Sequence, residues 1–129
     1  MEEAEKTQIG ELLGIKDLSV SFHTRRGIIR AVRNLSLNIK EGETLALVGE
    51  SGCGKSVTAH AVTQLVPMPP GVIESGEIRF KGTDLLTLSE REIRALRGSR
   101  ISMIFQEPMT SLNPVFTIRS QIGEVLRLH

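Results

Sequence analysis

The stretch Gly49-Glu50-Ser51-Gly52-Cys53-Gly54-Lys55-Ser56 restricts this chain more than any other. It fits G-x-x-x-x-G-K-[ST], a loop whose backbone cradles phosphate when it joins a strand to a helix. The flanks supply that setting. Thr44 to Val48 is a short unbroken apolar run, which predicts a strand buried on both faces. From Val57 to Leu65 the apolar residues fall at 57, 61, 62 and 65, which predicts a helix. Glycines let successive N–H groups turn inward toward phosphate oxygens. The new helix adds unpaired N–H groups and the positive end of its dipole. Lys55 then reaches the β- and γ-phosphates, and the Ser56 hydroxyl ligates Mg²⁺. The binding stretch is thus Gly49 through Val57. The plain alternative is a glycine-rich turn that merely starts a helix.

Composition narrows the partners. At 129 residues the length suits one domain with a real core. A formal net charge of +1 offers no bulk attraction for nucleic acid. Four Phe with no Trp and no Tyr make a base-stacking platform unpromising. A single Cys excludes an internal disulfide and a cysteine-based zinc cluster. Glu2, Glu3 and Glu5 do not suit a basic secretory leader. No apolar run approaches the roughly 18 residues that cross a bilayer. The expectation is a soluble or peripheral protein in a reducing compartment.

Taken in order, residues 1–10 are polar and expected to be disordered. Ile15 to Phe22 reads as a strand with Leu18, Val20 and Phe22 on one face. His23 to Gly27 reads as a turn, and Ile28 to Ile39 as a second strand region with Leu35, Leu37 and Ile39 alternating. Lys40 to Glu43 turns the chain into the phosphate-loop strand. The helix after the loop should end near Leu65, because Pro67 disfavours helix at Val66. Residues 76–82 form a short strand between glycines. Ser89 and Glu92 fit a capping box for a helix that stops at Gly98. Ile101 to Phe105 is another buried-strand candidate, and Glu107 to Pro114 is a loop. Thr117 opens a last helix with Ile118, Ile122, Val125 and Leu126 on one face.

Beside the phosphate loop stands a second motif, Met103-Ile104-Phe105-Gln106-Glu107-Pro108-Met109-Thr110-Ser111-Leu112-Asn113-Pro114. Together the two strongly resemble the nucleotide-binding subunits of ABC transporters, in the branch that imports oligopeptides, dipeptides or nickel. The likeness runs from about Ile15 to the last residue. It implies an α/β fold of the phosphate-loop NTPase type, with an antiparallel β section ahead of the loop strand and an incomplete core sheet. It implies ATP and Mg²⁺, with Ser56 and Gln106 on the metal. Gln106 resembles the glutamine that reaches the metal and the attacking water and links the site to the membrane subunits. Phe22 resembles the aromatic residue that stacks on adenine, although many family members have Tyr or Trp there. The implied partners are transmembrane permease subunits, a second nucleotide-binding subunit (identical or paralogous) and, indirectly, an external substrate-binding protein. The implied place is the cytoplasmic face of the cell membrane, peripherally attached, with peptides as cargo and nickel as the next choice.

Other residues receive plainer readings. His23 is a solvated turn histidine, with an adenine contact as the alternative. Cys53 is a small loop residue that could in principle carry a low-pKa thiol. His60 is structural. Arg91, Arg94 and Arg97 are a solvated row on their helix, and Arg25 and Arg26 belong to a turn.

In the family the chain continues into a Leu-Ser-Gly-Gly-Gln signature, an acidic strand ending in a catalytic Glu, and a switch His. None of these occurs in this sequence. No catalytic residue is therefore assigned, and the chain should hold ATP without hydrolysing it alone. The resemblance also places the strands that pair with 44–48 and 101–105 after residue 129, so a marginal fold is expected. Two further possibilities remain open: a non-catalytic binding fragment, and a soluble ATPase of the same class.

Overall fold

The computed structural model describes residues 10–129. Disorder expected over 1–10 falls outside the described residues except at Gly10, whose carbonyl accepts the Glu41 amide at 3.1 Å. Two compact units make up the chain, the first running through Leu88 and the second spanning Ser89–His129.

The first unit is built on an antiparallel sheet. Strand β1 (Glu11–Thr24) and strand β2 (Gly27–Lys40) form a long hairpin. Helix α1 spans Lys55–Val62. Strand β3 (Gly71–Phe80) returns to the free edge of β1, and the short β4 (Thr83–Asp84) pairs with β3. The order β2-β1-β3-β4 makes β1 a central strand. Both hairpin strands exceed the predicted ranges, and the turn shrinks to Arg25 and Arg26, held by Thr24 Oγ1 donating to the Gly27 carbonyl at 2.8 Å. Gly27 has φ 128°, a conformation that suits glycine there.

β1 does not alternate cleanly. Ile15 and Leu18 are both buried although three residues apart, because the pairing register shifts between them on both ladders. Asp17 sits at the shift with φ 49°. An extra residue of this kind bends a strand and resets which side chains face inward. Its amide donates to Ser36 Oγ at 2.9 Å, and Ser75 Oγ donates to its carbonyl at 3.3 Å. Gly76 of β3 packs on this irregularity. A Cβ there would lie 2.5 Å from Leu18 Cα and 2.7 Å from the Asp17 carbonyl oxygen.

The core of this unit gathers Ile15, Leu18, Val20, Val32 and Ile78 from the sheet with Ala61, Val66 and Leu85. Full burial of a Leu or Ile is worth about 2 kcal/mol of transfer free energy each. Helix α1 ends at Val62, earlier than the prolines alone predict. Thr63 is its C-cap and Gln64 turns to φ 52°. The Gln64 side chain then donates to the Leu85 carbonyl.

Two predicted strands do not form. Residues 44–48 are irregular and exposed, with Leu45 and Leu47 at 44% and Val48 at 90%. Residues 101–105 contribute only an isolated bridge between Ile101 and Arg97, and Ile104 is 95% exposed. A strand needs a ladder partner on at least one edge. Among the described residues no strand lies against either run, so their apolar character finds no sheet to join.

In the second unit, helix α2 (Glu90–Leu96) has the predicted capping box. Ser89 Oγ accepts the Glu92 amide at 3.3 Å, and the Glu92 carboxylate accepts the Ser89 amide at 2.8 Å. Gly98 follows with φ 80°, and the Arg100 amide returns to the Leu96 carbonyl at 2.9 Å, closing the helix end. Helix α3 (Ile118–Leu128) is capped by Thr117, whose Oγ1 accepts the Ser120 amide at 3.2 Å. Its predicted apolar face forms, and Ile118, Ile122, Val125 and Leu126 are all exposed.

Replacing Gly76 by Ala should destabilise the first unit by roughly 2–4 kcal/mol, since it combines a positive φ with backbone overlap. Denaturant melts of the two proteins measure it. The capping box gives a pH test. Its bonds to the Ser89 amide and then the Ser89 hydroxyl hold the Glu92 carboxyl below its ordinary value of 4.5. A depressed folded pKa means the stabilisation is full above that value and is lost as pH falls through the folded one. Ser89→Ala should cost about 1 kcal/mol at neutral pH. The gap from wild type should narrow in strong acid, as followed by helix circular dichroism.

Candidate functional site

Gly49 to Val57 come together as a loop closing onto α1. The Cys53 amide donates to the Glu50 carbonyl at 3.2 Å, making the loop's inner turn. Gly52 and Gly54 take φ 82° and 94°. Gly54 is the N-cap of α1, and no side chain caps the helix there. The amides of the first helical turn have no partner within a helix, so this end is left open to a ligand. The first helical bond runs from the Thr58 amide to the Gly54 carbonyl at 3.0 Å, and the buried Thr58 hydroxyl adds a second at 2.9 Å.

Lys55 spans the mouth of the loop. Its ammonium donates to the carbonyls of Gly49 and Glu50, both at 2.7 Å, and lies 3.3 Å from Cys53 Sγ. A Cβ on Gly49 would stand 2.5 Å from that sulfur. The glycine therefore keeps the hollow open for the cysteine and lysine side chains. Ser56 is exposed at the helix start, and its carbonyl lies 2.6 Å from His60 Nδ1. His60 is thus engaged within its own helix, as the structural reading expects.

The loop is held against β2. A Cβ on Gly54 would meet the Ala31 carbonyl oxygen at 2.3 Å and Val32 Cγ2 at 3.3 Å. This close approach makes one wall of a depression of about 400 Å³ lined by Arg30, Ala31, Val32 and Arg33 together with Gly52 to Lys55, Leu47 and Val48. The β2 residues were not singled out in the sequence. The only hint there was that a glycine before the lysine lets another backbone approach.

Phe22 lies in the same unit but does not line that depression. It stands near the end of β1, half-buried, opposite Ile29 on one side and Gly71 on the other. His23, read as a turn residue, belongs instead to β1 and contacts Ser21 and Glu74. The turn half of its reading is corrected, since the strand continues past it with its amide bonded to the Pro70 carbonyl at 2.9 Å, while the side chain is exposed as expected. Gln106 belongs to the second unit, exposed, just ahead of the short helical turn Pro108–Thr110. Gln121 of α3 secures the loop that follows, accepting the Asn113 amide at 2.8 Å and donating to the carbonyls of Asn113 and Phe116. On α2, Glu90 pairs with Arg97 at 3.1 Å and Arg94 at 3.6 Å, so two of the three arginines answer a helix carboxylate. No cluster of metal-ligating side chains occurs among the described residues.

Residues 32–127 match the ABC transporter family, and the chain belongs to it. It is 52% identical over 122 residues to an oligopeptide transport ATP-binding protein of Bacillus subtilis, a match covering 95% of this chain and 34% of that protein. A dipeptide transport ATP-binding protein of the same organism is 49% identical, over 92% of this chain and 36% of its own length. The chain thus spans about a third of these relatives. A solved bacterial ABC transporter cassette, MJ0796, described as dimeric, superposes with a TM-score of 0.76 at 27% identity, over 90% of this chain and 47% of the cassette. The fold is the N-terminal portion of an ABC-type phosphate-loop NTPase.

Gly54→Ala should separate the loop from β2 and lower the unit's stability by roughly 2–3 kcal/mol, because the added carbon overlaps a backbone carbonyl at a left-handed position. Thermal melting reads the loss, and amide exchange at Ala31 and Val32 should locate it.

Proposed function

We propose that this chain binds ATP with Mg²⁺ as part of the energy-coupling subunit of an ABC importer for peptides. The observation that carries the reading is the loop 49–57. Its open helix N-terminus and its lysine, drawn across two carbonyls, form a hollow suited to a chain of phosphates. The amides of Gly49, Glu50, Ser51, Gly52, Cys53, Gly54, Lys55, Ser56 and Val57 would surround the phosphate oxygens. The ammonium of Lys55 would leave its carbonyl partners for the stronger charge of the β- and γ-phosphates. Ser56 would hold Mg²⁺, which neutralises phosphate charge when bound. Phe22 would stack on the adenine ring.

These residues are assigned binding rather than turnover. In this reading residues 11–129 are the N-terminal part of a nucleotide-binding domain. That domain would meet a second nucleotide-binding subunit and transmembrane permease subunits, peripherally at the cytoplasmic face of the membrane. An external binding protein would deliver the cargo. The peptide assignment follows the relatives, one named for oligopeptide transport and one for dipeptide transport.

Equilibrium titration with ATP, with and without Mg²⁺, tests the site. Lys55→Ala should weaken binding by roughly a hundredfold, the order expected for losing a charge-assisted contact of about 2–3 kcal/mol. Ser56→Ala should keep binding but reduce the benefit of Mg²⁺. Affinity unchanged in Lys55→Ala would refute the role given to the loop.

A further inference from the structure

A side-chain cluster lies beside the strand end that carries Phe22, and the nucleotide reading makes no use of it. Ser21 is 1% exposed, and its hydroxyl donates to Glu74 Oε1. His23 Nε2 lies 3.1 Å from the same carboxylate oxygen and 3.1 Å from Ser21 Oγ. Ser21 and His23 flank Phe22 in sequence, so by strand alternation they project to the face opposite its ring. Glu74 comes from β3, the neighbouring strand. Three side chains thus tie the last residues of β1 to β3 on one face. On the other face the ring rests against β3, where a Cβ on Gly71 would stand 3.4 Å from Phe22 Cε1.

The charges around the cluster agree with this geometry. The Glu74 carboxyl is held below the ordinary 4.5, first by the Ser21 hydroxyl, then by the His23 hydrogen bond, with the charges of His23 and Arg30 adding. Arg30 stands opposite Ser21 on β2, so β1, β2 and β3 all contribute to the surroundings of this carboxylate. A buried hydroxyl needs a partner, but a sheet does not need one at this position. An alanine would fill Ser21's place without a carboxylate and an imidazole beside it. What the cluster adds is a fixed direction for residues 21–23.

We propose that Ser21, His23 and Glu74 are positioning residues that set the Phe22 ring for stacking on the purine of the bound nucleotide. The inference rests on the nucleotide reading above and deepens it. The base feels the clamp, while the triphosphate, held at the loop, does not.

Binding of two ligands to the full chain separates these effects: ATP and inorganic tripolyphosphate, each with Mg²⁺. In His23→Ala and Glu74→Ala, ATP should bind about three- to tenfold more weakly, the loss expected for one or two hydrogen bonds. Tripolyphosphate should change by less than about twofold in the same variants. Phe22→Ala should show the same split, and adding His23→Ala to it should lose nothing more. Glu74→Gln, which keeps an acceptor oxygen for Ser21, should recover part of the loss. Unchanged ATP affinity in the clamp variants would overturn the proposal. So would an equal loss of both ligands, which marks a staple for the fold. If Phe22→Ala is silent while both ligands still bind, the clamp fails and the loop reading stands. If the wild-type chain takes up neither ligand, the nucleotide reading fails and the clamp with it.

Discussion

The two ladders of β1 organise the first unit. A strand bonded on both edges fixes its neighbours in register, and here it fixes β2 on one side and β3 on the other. β2 in turn supplies the backbone against which Gly54 rests. The phosphate loop therefore inherits its position from a hairpin that begins at Glu11, far earlier in the chain. The pleat is not uniform along β1. The extra residue near Asp17 changes which side chains turn inward, and Gly76 has no Cβ because the bend brings two backbones together there.

Much of this was legible as local chemistry. The capping box at Ser89 and Glu92, the glycine stop at Gly98 and the Thr117 cap are short-range hydrogen bonds, and each is found. The hairpin was legible from alternation and a turn glycine, with its ends set short of the strands that form. Two things were not legible. The bulge at Asp17 depends on the registers of both neighbours, which no window of residues encodes. The runs at 44–48 and 101–105 were read from hydrophobicity alone. Hydrophobicity states what a segment would gain by burial, but a ladder also needs a second strand. Val48 and Ile104 lie almost wholly exposed because that second condition is unmet among the described residues.

The candidate site divides in the same way. The loop's residue types and spacing are local, so the glycine conformations and the lysine's reach follow from the motif. The wall formed by Arg30 to Arg33 is not local. It arises because β2 runs past the loop at backbone distance. The contact His23 makes with Glu74 was missed for a related reason. Its partner Glu74 is 51 residues away and meets it only through the β1–β3 ladder.

The ammonium of Lys55 ties two carbonyls of the loop together. Carbonyls converging at the mouth of a tight loop repel one another, and a cation between them relieves that repulsion. Lys55 does this with two bonds at 2.7 Å, both to the loop that would receive phosphate. In the nucleotide reading the same charge serves twice: it holds the loop's carbonyls, and it attracts the phosphates. The cost of binding is then the exchange of two carbonyl contacts for phosphate contacts rather than the ordering of a free chain, which is how preorganisation raises affinity without adding contacts. Gly49 belongs to this arrangement as much as the lysine does, since a side chain there would occupy the space of Cys53 Sγ beside the ammonium.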